Sequence, residues 1–222
     1  MQKVIITVNI AHARIISKAL DYLRSISKGE LNRIPDLIYE NNTTLAQFCN
    51  IDITKFEKDI HNLKNELINV ENKYFTRYLN ILQLGLFGTQ IISVKKKFLE
   101  TCFIFKKRRR EFSNVPLTIE ELQIVKLACK LYLNLLCGNL NYCCEIYKFI
   151  PKINSDICID IQECHDSFDF YLEITSRCLN RKAKWCYDII AVIDNIKPFP
   201  VRLGTLPEIK IQYIELKSNL ND

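Results

Sequence analysis

Two groups of residues in this chain could do chemistry, and the first is basic. Lys95, Lys96, Lys97, Lys106, Lys107, Arg108, Arg109 and Arg110 stand within 16 residues that hold one acid, Glu100. Such cations neutralise phosphates and release their counterions. Phe98, Phe103 and Phe105 are interleaved with them and could stack on unpaired bases. The chain has a net charge of +6, and this stretch alone carries +7, eight cations less one acid. The other residues hold 23 basic and 24 acidic side chains, which leaves −1. All of the excess positive charge is therefore local, as a site for phosphate, anionic lipid or an import receptor would have it. The run Lys106 to Arg110 also reads as a nuclear-import signal. A plainer reading stands beside these: cations gather at helix C-termini because the helix dipole favours them there.

The second group is the cysteines. Eight of the ten lie between Cys129 and Cys186, with His165 among them. Zinc asks for four S or N ligands, usually delivered in C-x₂₋₄-C knuckles. No C-x-x-C occurs, and Cys158 stands about two helical turns from Cys164-His165, too far for one knuckle. Free thiols packed as small apolar side chains are the simpler expectation. No local signature supports a Cys-His nucleophile, and Glu120/Glu121 and Asp166/Asp169 read as ordinary surface acids. Trp185 follows a smaller basic patch, Arg181-Lys182-Ala183-Lys184, where its indole fits either a core or a binding rim.

Glycine limits the chemistry further. Phosphate cradles and dinucleotide turns need it for positive φ and close backbone approach. The five glycines, at 29, 85, 88, 138 and 204, build neither a P-loop nor a G-x-G-x-x-G turn. The first thirty residues carry charges throughout and contain no secretory h-region, so the thiols are expected to be reduced and the location cytoplasmic, nuclear or both.

Mostly helical elements must position these groups. Ile15, Ile16, Ala19, Leu20, Leu23 and Ile26 predict a helix over 11–27, closed by Gly29. Pro35 predicts a short helix to Tyr39, with Thr43 or Thr44 capping another near 45–49. Phe56, Ile60, Leu63, Leu67, Val70, Tyr74, Tyr78, Ile81 and Leu84 form a seam with steps of 3 and 4, which predicts a long amphipathic helix over 54–83. That seam is either a core face or, across 56–84, a surface for self-pairing. The basic stretch falls on a helix over 89–110 that would bury Ile91, Val94, Phe98, Cys102 and Phe105. Thr118 and Glu121 form a capping box that opens a helix to Leu136, ended by Gly138. Further helices are expected at 139–150, from Ser155 to about Leu179, and over 185–196. Residues 4–8 read as a strand or a helix lead-in, and 209–216 as an edge strand or a short helix. Seventeen uncharged residues, 78–94, precede the cations, but Asn80, Gln83, Gln90 and two glycines make them too polar for a membrane span.

The expected fold is thus all-α or nearly so, with one long amphipathic helix and at most a short terminal strand pair. An N-terminal lobe, 1–112, would end in the basic segment and a Cys-rich lobe, 113–222, would follow, divided at Ser113-Asn114-Val115-Pro116, or the two would form one continuous domain.

The chain has 32 Ile and 19 Asn against 7 Ala, the mark of A/U-rich coding. With its compact size, free cysteines and lack of enzyme motifs, it resembles in style the small accessory proteins of plant criniviruses. That resemblance implies a host-cell protein, in some members a suppressor of RNA silencing and in others a protein of membranes or the cell periphery. Ile34-Pro35-Asp36-Leu37-Ile38, with Leu45 and Phe48-Cys49, is loosely similar to the Leu-Pro start of an F-box, which docks a ubiquitin-ligase adaptor. It departs in its first residue, its spacing and its missing Trp.

The functional expectation is a non-enzymatic RNA-binding protein without cofactor or metal, with Lys95 to Lys97 and Lys106 to Arg110 on phosphates. The alternative is a protein-interaction or membrane-periphery scaffold that self-associates through the long helix. Its partners would be a host protein, a second copy or an anionic membrane.

Overall fold

A computed structural model describes residues 3–75, 85–108, 112–148, 155–168, 180–194 and 210–214. Strand β1, Lys3–Asn9, runs straight into α1, Ile10–Ser27. Asn9 makes that junction by accepting the His12 backbone N–H at 2.8 Å. The end of α1 follows the expectation from Gly29, whose φ is +82°. Gly29 N–H donates to the Ile26 carbonyl and Glu30 N–H to that of Ser25, the paired bonds that close a helix through a left-handed residue.

Helix α2, Arg33–Phe48, is continuous where two short helices were expected. Pro35 lies in its first turn, where a missing N–H has no partner to lose. Thr43 does not cap: its hydroxyl donates to the Tyr39 carbonyl one turn back. Buried Asn42 bridges to the Leu136 carbonyl at 3.0 Å. Ile34, Leu37 and Ile38, which carry the F-box likeness, lie inside the core.

Helix α3, Ile53–Tyr74, begins at Asp52, whose carboxylate caps Thr54 and Lys55. It realises the first part of the expected 54–83 helix and ends at Phe75; residues 76–84 lie outside the described residues. Phe56, Ile60, Leu63, Leu67 and Val70 are at most 7% exposed. The helix packs on α2 and on α7, Ser155–Ser167. This described part of the seam is therefore a core face and is not free to pair with a second copy.

Helix α4, Gly85–Arg108, follows, then β2, Phe112–Thr118, and α5, Ile119–Leu136. The expected break at Ser113 to Pro116 is this strand. It pairs antiparallel with β1, Val4 opposite Leu117 and Ile6 opposite Val115. Pro116 is tolerated because β2 lies at the sheet edge. The terminal pair is also present: β1 pairs with β3, Lys210–Ile214, giving a three-stranded antiparallel sheet in the order β2-β1-β3. Helix α6, Tyr142–Tyr147, and α8, Arg181–Ile193, complete a mostly helical fold with eight helices among the described residues.

The core is one cluster. It joins Val4, Ile6 and Val8 of β1, the inner face of α1, and residues of α5 and α8 such as Tyr132, Leu135 and Ile189. It thus draws side chains from both sides of residue 112.

Candidate nucleic-acid interface

Helix α4 carries the basic stretch as far as Arg108, and its inner face decides how Lys95 and Lys97 are placed. Ile91, Val94 and Phe98 are buried, as their spacing predicts, and Cys102 is half-buried against the core. The Phe105 side chain lies outside the described residues. This face packs on α1, β2 and α5.

Lys95 and Lys97 flank that inner face, and both are claimed by carboxylates of this chain. Lys95 pairs with Asp21 of α1. Lys97 Nζ donates to Glu121 Oε2 at 2.6 Å and Oε1 at 2.8 Å, and to the Pro116 carbonyl at 3.2 Å. Glu121 is also the capping-box acid: its Oε2 accepts the Thr118 N–H at 2.9 Å, and Thr118 Oγ1 accepts the Glu121 N–H at 3.2 Å. Lys97 thus helps tie α4 to the start of α5. Lys96 points outward and stands 3.9 Å from Glu100, one turn on. The first cluster is largely balanced within the fold, which its sequence gave no local way to see.

The second cluster continues from the same helix. Lys106, Lys107 and Arg108 occupy its last turn, and Arg109 and Arg110 lie outside the described residues. One turn before them Phe103 is 67% exposed, whereas Phe98 is fully buried. The sequence placed Phe98 and Phe103 together; the fold separates them. Ile92 and Leu99 are also exposed, so an apolar stripe runs along the outer side of α4 with Lys96 between them.

Five of the nine described cysteines are buried, and none of the nine is in a disulfide. Burial, then contact with Cys129, holds the Cys186 thiol well above its ordinary range. Burial, then Cys158, pushes Cys144 up to about 12. A thiol must ionise to attack, and burial disfavours that ionisation in both. Among the described residues no group of three or more His, Cys, Asp or Glu converges as a metal site would require. His12 is buried, and that burial lowers its pKa to about 4.

Compared with known proteins, the chain matches no family model, no curated protein and no solved structure. Its function is therefore argued from this geometry. Among the described residues no helix is long and apolar enough to cross a membrane.

Proposed function

We propose that this chain is a non-enzymatic RNA-binding protein that engages a single strand at the basic end of α4. Exposed Phe103 carries the reading. An aromatic ring in water next to a run of cations is the pairing that single-strand binders use, the ring for bases and the cations for phosphates. Lys106 to Arg110 are the phosphate contacts. Lys96 adds a weaker one, and Lys95 and Lys97 serve the fold. The resemblance to crinivirus accessory proteins supplies the setting: a viral protein acting in a host cell as a suppressor of RNA silencing.

Phe103→Ala tests this directly, because the exposed ring supports no core contact. Stacking contributes about 1–3 kcal/mol per base. Fluorescence anisotropy is expected to show weaker binding of a short single-stranded RNA by that amount, with duplex RNA little changed. Equal affinity of variant and wild type for the single strand would reject the proposed mode.

A second reading rests on the outer stripe of α4. Ile92, Leu99 and Phe103 beside cations also suit a helix lying on an anionic membrane surface, the periphery role of the alternative expectation. Self-association through α3 has less support, since its described seam is buried. Co-sedimentation with anionic vesicles but no RNA affinity would favour this second reading.

A further inference from the structure

Among the described phenylalanine side chains, Phe56, Phe75, Phe98 and Phe168 are buried and only Phe103 and Phe112 are exposed, at 67% and 41%. Those two flank the run Lys106 to Arg110 in the chain, with the acid Glu111 just before Phe112.

Phe112 opens β2, and the pleat sets its direction. Alternate residues of a strand face opposite sides of the sheet. Val115 and Leu117 are buried, so Phe112, Asn114 and Pro116, which are exposed, share the outer side. Phe112 stands opposite Asn9, where β1 gives way to α1. On the outer side the Thr7 hydroxyl donates to Asn114 Oδ1 at 2.8 Å and ties β2 to β1. The strand that carries the ring is thus ordered before any ligand arrives, which lowers the cost of binding.

The bond from Lys97 to the Pro116 carbonyl sets α4 beside β2 and so locates both rings. From Lys97, Phe103 lies six residues on, about 9 Å along the helix. From Pro116, Phe112 lies four residues back, about 13 Å along the strand. Both steps lead toward the same end, because the chain passes from Arg108 to Phe112 in four peptide steps, a reach of about 14 Å at most. Phe103, the last turn of α4 and Phe112 are therefore gathered at one end of the α4–β2 pair.

We propose that Phe112 is a second stacking platform for the single strand bound at the basic end of α4, so that unpaired bases are held on both sides of the cations. The inference rests on the reading of α4 as a single-strand site. Complementary charge names the occupant: five cations between two exposed rings suit a polyanion that presents its bases apart from its phosphates. A duplex keeps its bases stacked within the helix and gains from the cations alone.

The test is fluorescence anisotropy of the full chain with a labelled oligouridylate. Wild type is compared with Phe103→Ala, Phe112→Ala, Phe112→Leu and Phe112→Tyr. Loss of one stacked base weakens binding about fivefold or more. Phe112→Ala and Phe112→Leu are each expected to show that loss, and Phe112→Tyr, which keeps a ring, to retain the affinity. The slope of log K against log salt should stay unchanged in all three, since no phosphate contact is removed. Phe112→Leu keeps an apolar side chain on the strand and serves if Phe112→Ala fails to fold by circular dichroism. Wild-type affinity in the Phe112 variants beside weaker binding by Phe103→Ala would overturn this inference and leave the α4 reading standing. No binding by the wild type would overturn both. A loss shared equally by Phe112→Tyr would mark a role in the strand rather than in stacking and would also overturn it. So would a loss of co-sedimentation with anionic vesicles in Phe112→Leu at unchanged RNA affinity, which would give the ring to a membrane surface.

Discussion

Gly29 and His12 show how much can depend on one position. A Cβ at Gly29 would fall 2.1 Å from Cγ of the Phe75 ring, and the backbone there is left-handed. Gly29→Ala therefore meets strain and overlap together. It is expected to cost about 1–3 kcal/mol in urea unfolding; an unchanged midpoint would show that Phe75 packs elsewhere. The glycine was legible as a helix stop, but its contact with Phe75 was not, because 46 residues separate them. His12 sets an acid limit. An unfolded histidine takes a proton below about pH 6.5, whereas the buried one refuses it until about pH 4. Its contribution is thus whole above pH 6.5 and is lost as pH falls toward 4, about 3 kcal/mol by then. Asp188, its carboxyl raised by burial, works in the opposite direction, favouring the fold as pH falls. His12→Phe keeps Asp188, so the difference between the two proteins isolates His12. The variant is expected to lose about 3 kcal/mol less than wild type between pH 7 and pH 4. Parallel losses would place a charged His12 in the fold.

Among the elements, local chemistry was readable and pairing over distance was not. The Thr118 capping box and the Gly138 stop bound α5 as expected, since each is made within a few residues. Strand β2 was hidden because Pro116 reads as a break, and only Val115 and Leu117 of it are buried. Its identity comes from β1, more than a hundred residues away. Helix α2 passes through both of its expected boundaries, because tertiary burial of Ile34, Leu37 and Ile38 outweighs the weak local signals of Pro35 and Thr43. The α3 seam was legible as apolar but not by its partner, which is this chain's own α2 and α7. Leu67→Ala, at a fully buried position, is therefore expected to cost about 2–5 kcal/mol in stability. Sedimentation should leave the oligomeric state unchanged. A stable variant with an altered oligomeric state would mean that the seam joins copies.

At the scale of the whole molecule, charge that sums to a local excess in sequence is redistributed by folding. Asp21 and Glu121, one before and one after the basic stretch, claim Lys95 and Lys97. The cations that the account assigns to RNA are therefore Lys106 to Arg110, with Phe103 before them in the sequence. The sequence located the α4 segment; it could not show that Lys95 and Lys97 are paired, because their acids arrive from other helices. The most direct test is the salt dependence of single-stranded RNA binding. Wild type is compared with a variant in which Lys106 to Arg110 are all Ala. Each phosphate neutralised on a single strand contributes about −0.7 to the slope of log K against log salt. Removing five such contacts should make the slope shallower by about 3.5. An unchanged slope, or no binding by the wild type even at low salt, would contradict the account.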